Sequence, residues 1–531
     1  MRSLSMSFAC TIALAAALLL GMPSQATAAA GAQASSDSTG EGIAWIKGDV
    51  DAAFAAAKAA HKPVFLYWGA VWCPPCNQVK ATIFNRQDFI DRSRFFVPVY
   101  LDGDSKSAQK LGERFKVVGY PTMILFTPEG REITRLPGEV DADQYMRVLA
   151  MGMDGARPIK DTLAAALAPG AKLSAEEWRM LAYYPWYIDE QQVVTKAKLN
   201  ATLRALADAC PADQRETAAR LKMKALATAA ADKNVKPRDD RAAVATLSAL
   251  LAQPRFARDN FDLVAYYGDN IAKAYTLPRS PERAHLVAAW NARLQQLVSD
   301  TTLSSADRLA ALDAQIALAK LDDPKAAVSP ALKQSAREQA ARVDRETTDP
   351  YARQAVISSA AEILADADLL DESDALLKAE LQKSHSPYYY MLGLAANAKT
   401  RGDKAAALDW YQKAYAAADG PATRLQWGAS YVNALVQLSP EDSARIDTAV
   451  NSVLGELEAA PETFYGRNQR ALEKINGSLV RWEKQAKNDA RRDASLNRFR
   501  TQLANVCAKL PTTDPARASC ERVGRAVTAK T

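Results

Sequence analysis

The sequence predicts an α/β domain over residues 43–152 followed by an all-helical region over 153–531. Three observations carry that expectation. Short runs rich in apolar, aromatic and β-branched residues lie between residues 64 and 136 and alternate with helical patterns. A Cys-Pro-Pro-Cys sequence follows the first of these runs and precedes a helical stretch. After about residue 152 the strand patterns stop, and Ala- and Leu-rich runs of helical spacing follow, punctuated by Pro and Gly.

The chain opens with Arg2, a 13-residue largely apolar run from Phe8 to Leu20, and the small-residue sites Ala-Thr-Ala at 26–28 and Ala-Ala-Ala at 28–30. A charged start, a short apolar segment and a small-residue cleavage site describe a secretory signal peptide, here residues 1–30. Such a run is too short to cross a hydrocarbon core of about 30 Å, and Cys10 lies too early in it to be a lipid-attachment cysteine. The mature chain is therefore expected to be a soluble periplasmic or secreted protein. Residues 31–42 are small and polar and read as a flexible leader.

The α/β elements follow in order. Val50 to Ala60 is of helical type, with Asp49 or Asp51 as its cap, and Lys62-Pro63 ends it. Val64-Phe65-Leu66-Tyr67-Trp68 reads as a buried strand, residues 95–101 as a second and residues 122–126 as a third. Pro128-Glu129-Gly130 is a turn into a short fourth strand, 132–136, expected to be half exposed. Residues 141–151 close the domain as an amphipathic helix with Tyr145, Val148 and Leu149 inward.

The helical region includes runs at 161–168, 175–182, 215–231 and 242–251. One stretch is more specific. Leu394, Ala395, Ala398, Gly402, Ala407, Tyr411 and Ala414 fall at the spacing of a helix-pair repeat, with small residues where its helices cross. Residues 388–421 thus resemble one tetratricopeptide unit, and a backward shift of one unit keeps Ala360, Ala361, Leu364 and Leu377. A helical array with one clear unit and several degenerate ones is expected; an irregular helical bundle is the alternative. Tyr183-Tyr184-Pro185-Trp186-Tyr187 reads as helix-packing aromatics.

Charge excludes some functions. The 67 basic and 61 acidic residues give +6, spread along the chain without a basic stripe, so no nucleic-acid footprint is present. His61, His285 and His385 lie far apart, which argues against a histidine metal site. Of six cysteines, five remain after Cys10. Cys507 and Cys520 flank a Pro-containing turn between two helical stretches and are expected to form a structural disulfide. Cys210, before Pro211, reads as a buried small residue.

The chemistry lies in Trp72-Cys73-Pro74-Pro75-Cys76. Three-residue spacing on a first helical turn brings two sulfurs within bonding range. The positive end of the helix stabilises a thiolate at the first cysteine. Proline is tolerated there because the N–H that it lacks would have no intrahelical partner. Cys73 is thus the expected nucleophile and Cys76 the resolving thiol. A zinc site would need further ligands, and no second pair or nearby histidine supplies them. An inert bridge across so short a loop would immobilise little chain.

These residues carry a family resemblance. Ala59-Ala60-His61-Lys62-Pro63-Val64, Trp72-Cys73-Pro74-Pro75-Cys76, Ile83-Phe84-Asn85, Val118-Gly119-Tyr120-Pro121-Thr122 and Gly138-Glu139-Val140-Asp141-Ala142-Asp143 together resemble the thioredoxin fold. Within it they are most similar to the periplasmic domain that ends membrane thiol:disulfide interchange proteins. The resemblance implies that Pro121 is cis, packs over Cys73–Cys76 and hinders metal binding. It also implies that the backbone at Tyr120 pairs with an extended substrate segment. Thioredoxins commonly bury a carboxylate six residues before the first cysteine; here that position is Tyr67, which leaves the proton acceptor for Cys76 to water or another carboxylate such as Glu113.

The resemblance also implies a direction: thioredoxin-like reductants tend to carry proline before the second cysteine, as Pro75 does here, and strong oxidants of the fold carry histidine, which favours a reductant or electron relay over an oxidant. The expected function is an exported thiol:disulfide oxidoreductase acting on protein disulfides through Cys73 and Cys76, with Trp72, Pro74, Pro75, Tyr120 and Pro121 in support. It requires no cofactor and no metal. It does require a membrane or periplasmic electron donor, and the helical region would recruit a peptide or protein partner. Two alternatives are a binding scaffold with a catalytically idle α/β domain and a Cu(I) metallochaperone.

Overall fold

The apolar run that begins at Val64 is buried on both faces, and the α/β domain is built outward from it. The structure is a computed structural model that describes residues 42–117, 119–138, 141–155, 157–170, 172–186, 192–232, 234–461, 464–486 and 489–525. The signal peptide, nearly all of the leader, Val118, Glu139, Val140 and Tyr187 lie outside the described residues. Strands β1 (Ile46–Lys47), β2 (Val64–Gly69), β3 (Val97–Asp102), β4 (Thr122–Phe126) and β5 (Glu132–Leu136) form one sheet in the order β1-β3-β2-β4-β5. β2 runs parallel to β3, with Val64 opposite Val97, and antiparallel to β4, with Val64 opposite Phe126. Pleating sends Val64, Leu66 and Trp68 to one face, against Val50, Ala53 and Ala57 of helix α1 (Val50–Ala60). Phe65 and Tyr67 point the other way, into a cluster with Phe84, Phe89 and Tyr145. A strand covered on both faces has no polar side, which is why it reads as an unbroken apolar run.

The other helices of the domain are α2 (Pro74–Val79), α3 (Gln87–Ser93), α4 (Lys106–Arg114) and α5 (Ala142–Met153), with one widened turn, Lys80–Phe84, after α2. Asp49 caps α1 by accepting from Ala52 N, and Asp141 caps α5 by accepting from Asp143 N and Gln144 N. Tyr145, Val148 and Leu149 all face inward.

Two local expectations are corrected. β3 begins at Val97 because Phe95 still belongs to the turn after α3, where its N–H bonds to Arg92 O, and its ring is 66% exposed. β5 is not half exposed: Ile133, Thr134, Arg135 and Leu136 are all buried. Ile133 and Leu136 join the cluster shared with α5. The Arg135 guanidinium turns inward to the carbonyls of Phe115 and Lys116 and pairs with Glu132, so its charge ties β5 to the end of α4.

Beyond α5 the described residues hold helices from Ile159–Ala166 to Pro515–Arg525 and no strand. The first of them share the core of the α/β domain: Trp178, Leu181, Tyr184, Trp186, Leu203 and Leu206 lie in one apolar cluster with Phe65, Tyr145 and Leu149. Trp186 donates its indole N–H to Leu181 O. Helices Tyr388–Thr400 and Lys404–Ala417 form a tight pair with Ala395, Ala398 and Ala407 buried between bulkier neighbours. Gly402 makes the turn at φ +81°, a conformation that favours glycine. A Cβ on Gly393 would come within 2.9 Å of Leu377, so its bare backbone admits the preceding helix. Cys507 and Cys520 are bonded, with Cα atoms 5.5 Å apart, and join Lys509's helix to the last one. Cys210 is a free, buried thiol whose pKa burial pushes up to about 11.

One half-buried carboxylate, Asp313, is expected to make the array pH-sensitive. Burial, and then the neighbouring Asp366, Glu362 and Asp269, push the pKa of Asp313 up to about 7 from 3.8. A folded-state pKa above the unfolded value favours the protonated fold. That contribution is intact below about pH 4 and is lost as pH rises toward 7. Asp313→Asn is therefore expected to match the parent chain near pH 4. Above pH 7 it should exceed it by up to about 4 kcal/mol, read from denaturant unfolding across that range.

Candidate active site

β2 delivers the chain through Ala70 and Val71 to Trp72-Cys73, and α2 starts there. Cys73 is the residue that caps α2: its Sγ accepts from Cys76 N at 3.2 Å, and its N–H bonds back to Ala70 O. Pro74 and Pro75 fill the first turn. Cys73 and Cys76 are joined in a disulfide with Cα atoms 5.2 Å apart. Facing them is the Tyr120–Pro121 peptide bond, which is cis, with the Tyr120 carbonyl oxygen 3.6 Å from Cys73 Sγ. Tyr120 is fixed from behind, its hydroxyl donating to Gly103 O and accepting from Gln109 Nε2. The family model described as a thioredoxin-like domain matches residues 50–152.

Those residues are a thioredoxin-like domain.

The same stretch is 33% identical over 102 residues to Thiol:disulfide interchange protein DsbD 2 of Pseudomonas aeruginosa, a match covering 18% of this chain and 17% of that protein. Against the DsbD of Pseudomonas fluorescens the identity is 29% over 103 residues, covering 19% and 18%. The chain thus spans under a fifth of the length of these relatives. A solved structure of a DsbH oxidoreductase also matches, with a TM-score of 0.20 and 18% identity, over 21% of this chain and 85% of that one.

Around the thioredoxin-like loop the structure assembles residues that its motifs did not signal. The Trp72 indole N–H donates to Asp104 Oδ2, two residues beyond β3, and Thr423 Oγ1 donates to the same carboxylate at 3.0 Å. Burial pushes the pKa of Asp104 up to about 6, with Trp72, Thr423 and Arg467 acting in the opposite direction. The Arg467 guanidinium sits 4.3 Å over the Trp72 ring and 5.5 Å over that of Tyr120. Tyr389 stacks on Trp72 at 6.4 Å, and Trp427 meets Tyr389 edge-on at 5.0 Å. Gln354 donates to Trp72 O at 2.7 Å and accepts from Asn77 Nδ2 at 2.6 Å; His385 Nε2 donates to Val71 O at 3.0 Å. Burial raises the Tyr120 phenol to about 12, so it stays protonated.

The carboxylate held against the loop is therefore Asp104. Glu113 instead accepts from Gly466 N at 2.9 Å and lines a cavity of about 180 Å³ beside Tyr120, with Lys116, Arg467 and Arg470. Tyr67 lies wholly inside the sheet core, stacked on Tyr100. Among the described residues no group of three or more His, Cys, Asp or Glu side chains is placed to hold a metal, and no helix is long and apolar enough to cross a membrane.

Proposed function

We propose that the chain is an exported thiol:disulfide oxidoreductase of the periplasm that reduces disulfides in proteins. The observation that carries this reading is the Cys73–Cys76 pair at the start of α2, set against cis-Pro121 in a thioredoxin-like domain. In the dithiol form, Cys73 is the thiolate, stabilised by the Cys76 N–H and the N-terminal end of α2. It attacks one sulfur of a substrate disulfide and releases the other as a thiolate. Cys76, giving up its proton, then attacks the mixed disulfide at Cys73. The products are the substrate dithiol and the Cys73–Cys76 disulfide, which a membrane or periplasmic donor reduces again with two electrons and two protons. Trp72, Pro74, Pro75, Tyr120 and Pro121 support the site.

The proposed organisation is a removed signal peptide at 1–30, a leader at 31–42, the catalytic domain at 43–152 and a tetratricopeptide-like region at 153–531. That region recruits the partner and is stapled by Cys507–Cys520. One other reading has an observation in its favour. The sulfurs of Cys73 and Cys76 are enclosed, at 3% and 0% residue exposure, as they would be in a scaffold with an idle thioredoxin-like domain.

Equilibration of the full chain in glutathione and dithiothreitol buffers tests the proposal. A Cys73–Cys76 potential of roughly −270 to −200 mV, with reduction of a protein disulfide, is expected. A potential near about −120 mV would reverse the direction, and no exchange at all would leave the scaffold.

A further inference from the structure

The α/β domain meets the helices through two contacts that differ in size and in polar content. Behind the sheet, the cluster that joins Phe65, Tyr145 and Leu149 to Trp178, Leu181 and Leu203 is continuous apolar core. At the active-site face a smaller apolar cluster, in which Ala70, Trp72 and both cysteines meet Tyr388, Ala414 and Ala418, is framed by polar and aromatic contacts. There the helices bring Gln354, His385 and Thr423 to Trp72 O, Val71 O and Asp104, and lay Tyr389 and Arg467 on Trp72. The two carbonyls that lead into Cys73 are thus taken up by side chains from a different part of the chain. Trp72 is held at 6% exposure by a stacked ring, a guanidinium and a carboxylate.

Thiol–disulfide exchange needs the incoming sulfur in line with the bond that breaks, and a mixed disulfide needs room for the partner beside Cys73. With Cys73 at 3% exposure, and with Tyr388, Ala414 and Ala418 packed in the same cluster as both cysteines, that room is filled. Tyr120, at whose backbone an extended partner would add, has the Arg467 guanidinium over its ring.

We propose that the helical region is an intramolecular cap on this site. The chain folds closed, and a partner reaches Cys73 only when Gln354, His385, Tyr389, Thr423 and Arg467 part from the active-site loop. The cap rests on the reading of Cys73–Cys76 as an exchange site, because an idle domain would need no opening. The difference between the contacts locates the movement: the small cluster at the front, with its hydrogen bonds and stacked rings, separates, and the larger apolar core behind the sheet stays joined. Domains move across contacts that are not large and hydrophobic, and the front contact is the smaller and more polar of the two.

The test is pulsed alkylation of the reduced full-length chain with N-ethylmaleimide, with the Cys73 peptide followed by mass spectrometry. Cys73 in the parent chain should react at least ten times more slowly than in Gln354→Ala/Tyr389→Ala, whose melting curve reports whether it is folded. Equal rates in two folded proteins overturn the cap. If the double variant does not fold, hydrogen exchange on the parent chain decides. Amides of 70–77 and 384–392 that open together, well protected, support the cap; loop amides that exchange as fast as a free peptide overturn it. A folded variant whose Cys73 alkylates fast yet exchanges with no disulfide shows that the helices cover Cys73 and sinks the oxidoreductase reading, leaving the cover with no exchange to control.

Discussion

Cys73→Ser is expected to lower disulfide reduction by at least about a thousandfold, because a hydroxyl at the start of α2 cannot supply the thiolate. The two cysteines are not equivalent. Cys73 caps the helix, where the Cys76 N–H at 3.2 Å and the helix dipole both favour negative charge on its sulfur. Cys76 lies one turn deeper, with no exposed surface. Cys76→Ser therefore keeps the attacking thiolate and loses only the step that resolves the mixed disulfide. That variant should accumulate a covalent adduct with a protein disulfide, seen as a higher-mass band that a reductant removes. Cys73→Ser should give neither turnover nor adduct. An adduct formed by Cys73→Ser and not by Cys76→Ser would reverse the assigned roles.

What the sequence made legible is local. The helix at 50–60, the strand beginning at Val64 and the cysteine at the head of α2 each follow from spacing within a few residues, and of the two candidate caps, Asp49 and Asp51, the helix uses Asp49. The thioredoxin-like domain was legible for the same reason, since its motifs lie in short runs at intervals along one segment. The covering of the site was not. Gln354 lies 282 positions from Trp72, and His385 lies 314 from Val71. Nothing around either residue marks it as a partner of a distant loop. Residues 388–390 are all tyrosine, but a ring that stacks on Trp72 and a ring that fills a helical core have the same local pattern. β5 failed differently: Arg135 reads as a solvated side chain until the carbonyls at the end of α4 are placed beside it.

The same non-local logic sets the largest expected loss of stability. Arg220, 2% exposed, donates to both oxygens of Asp262 at 2.9 and 2.7 Å, to Asn260 Oδ1 and to Ala182 O, and lies 3.8 Å over the Tyr183 ring. It thereby ties helix Arg215–Ala230 to Phe261–Tyr275 and to the end of Ala175–Tyr183, beside the core shared with the thioredoxin-like domain. Burial alone would raise the pKa of Asp262, but the charge and hydrogen bonds of Arg220, with the charge of Lys224, bring it below 3.8. The pair is therefore ionised at neutral pH, and the stability it contributes is present above about pH 4 and lost as pH falls through the lowered pKa. Asp262→Ala strands a buried guanidinium and should cost about 3–5 kcal/mol in denaturant unfolding at pH 7. Arg220→Met/Asp262→Leu removes both charges and should recover most of that loss, because desolvation of the ions largely offsets their attraction. Recovery in the double variant would mean that the pair fixes which helices meet there and adds little net stability. A double variant as unstable as Asp262→Ala would instead place the energy in the hydrogen bonds to Ala182 and Asn260.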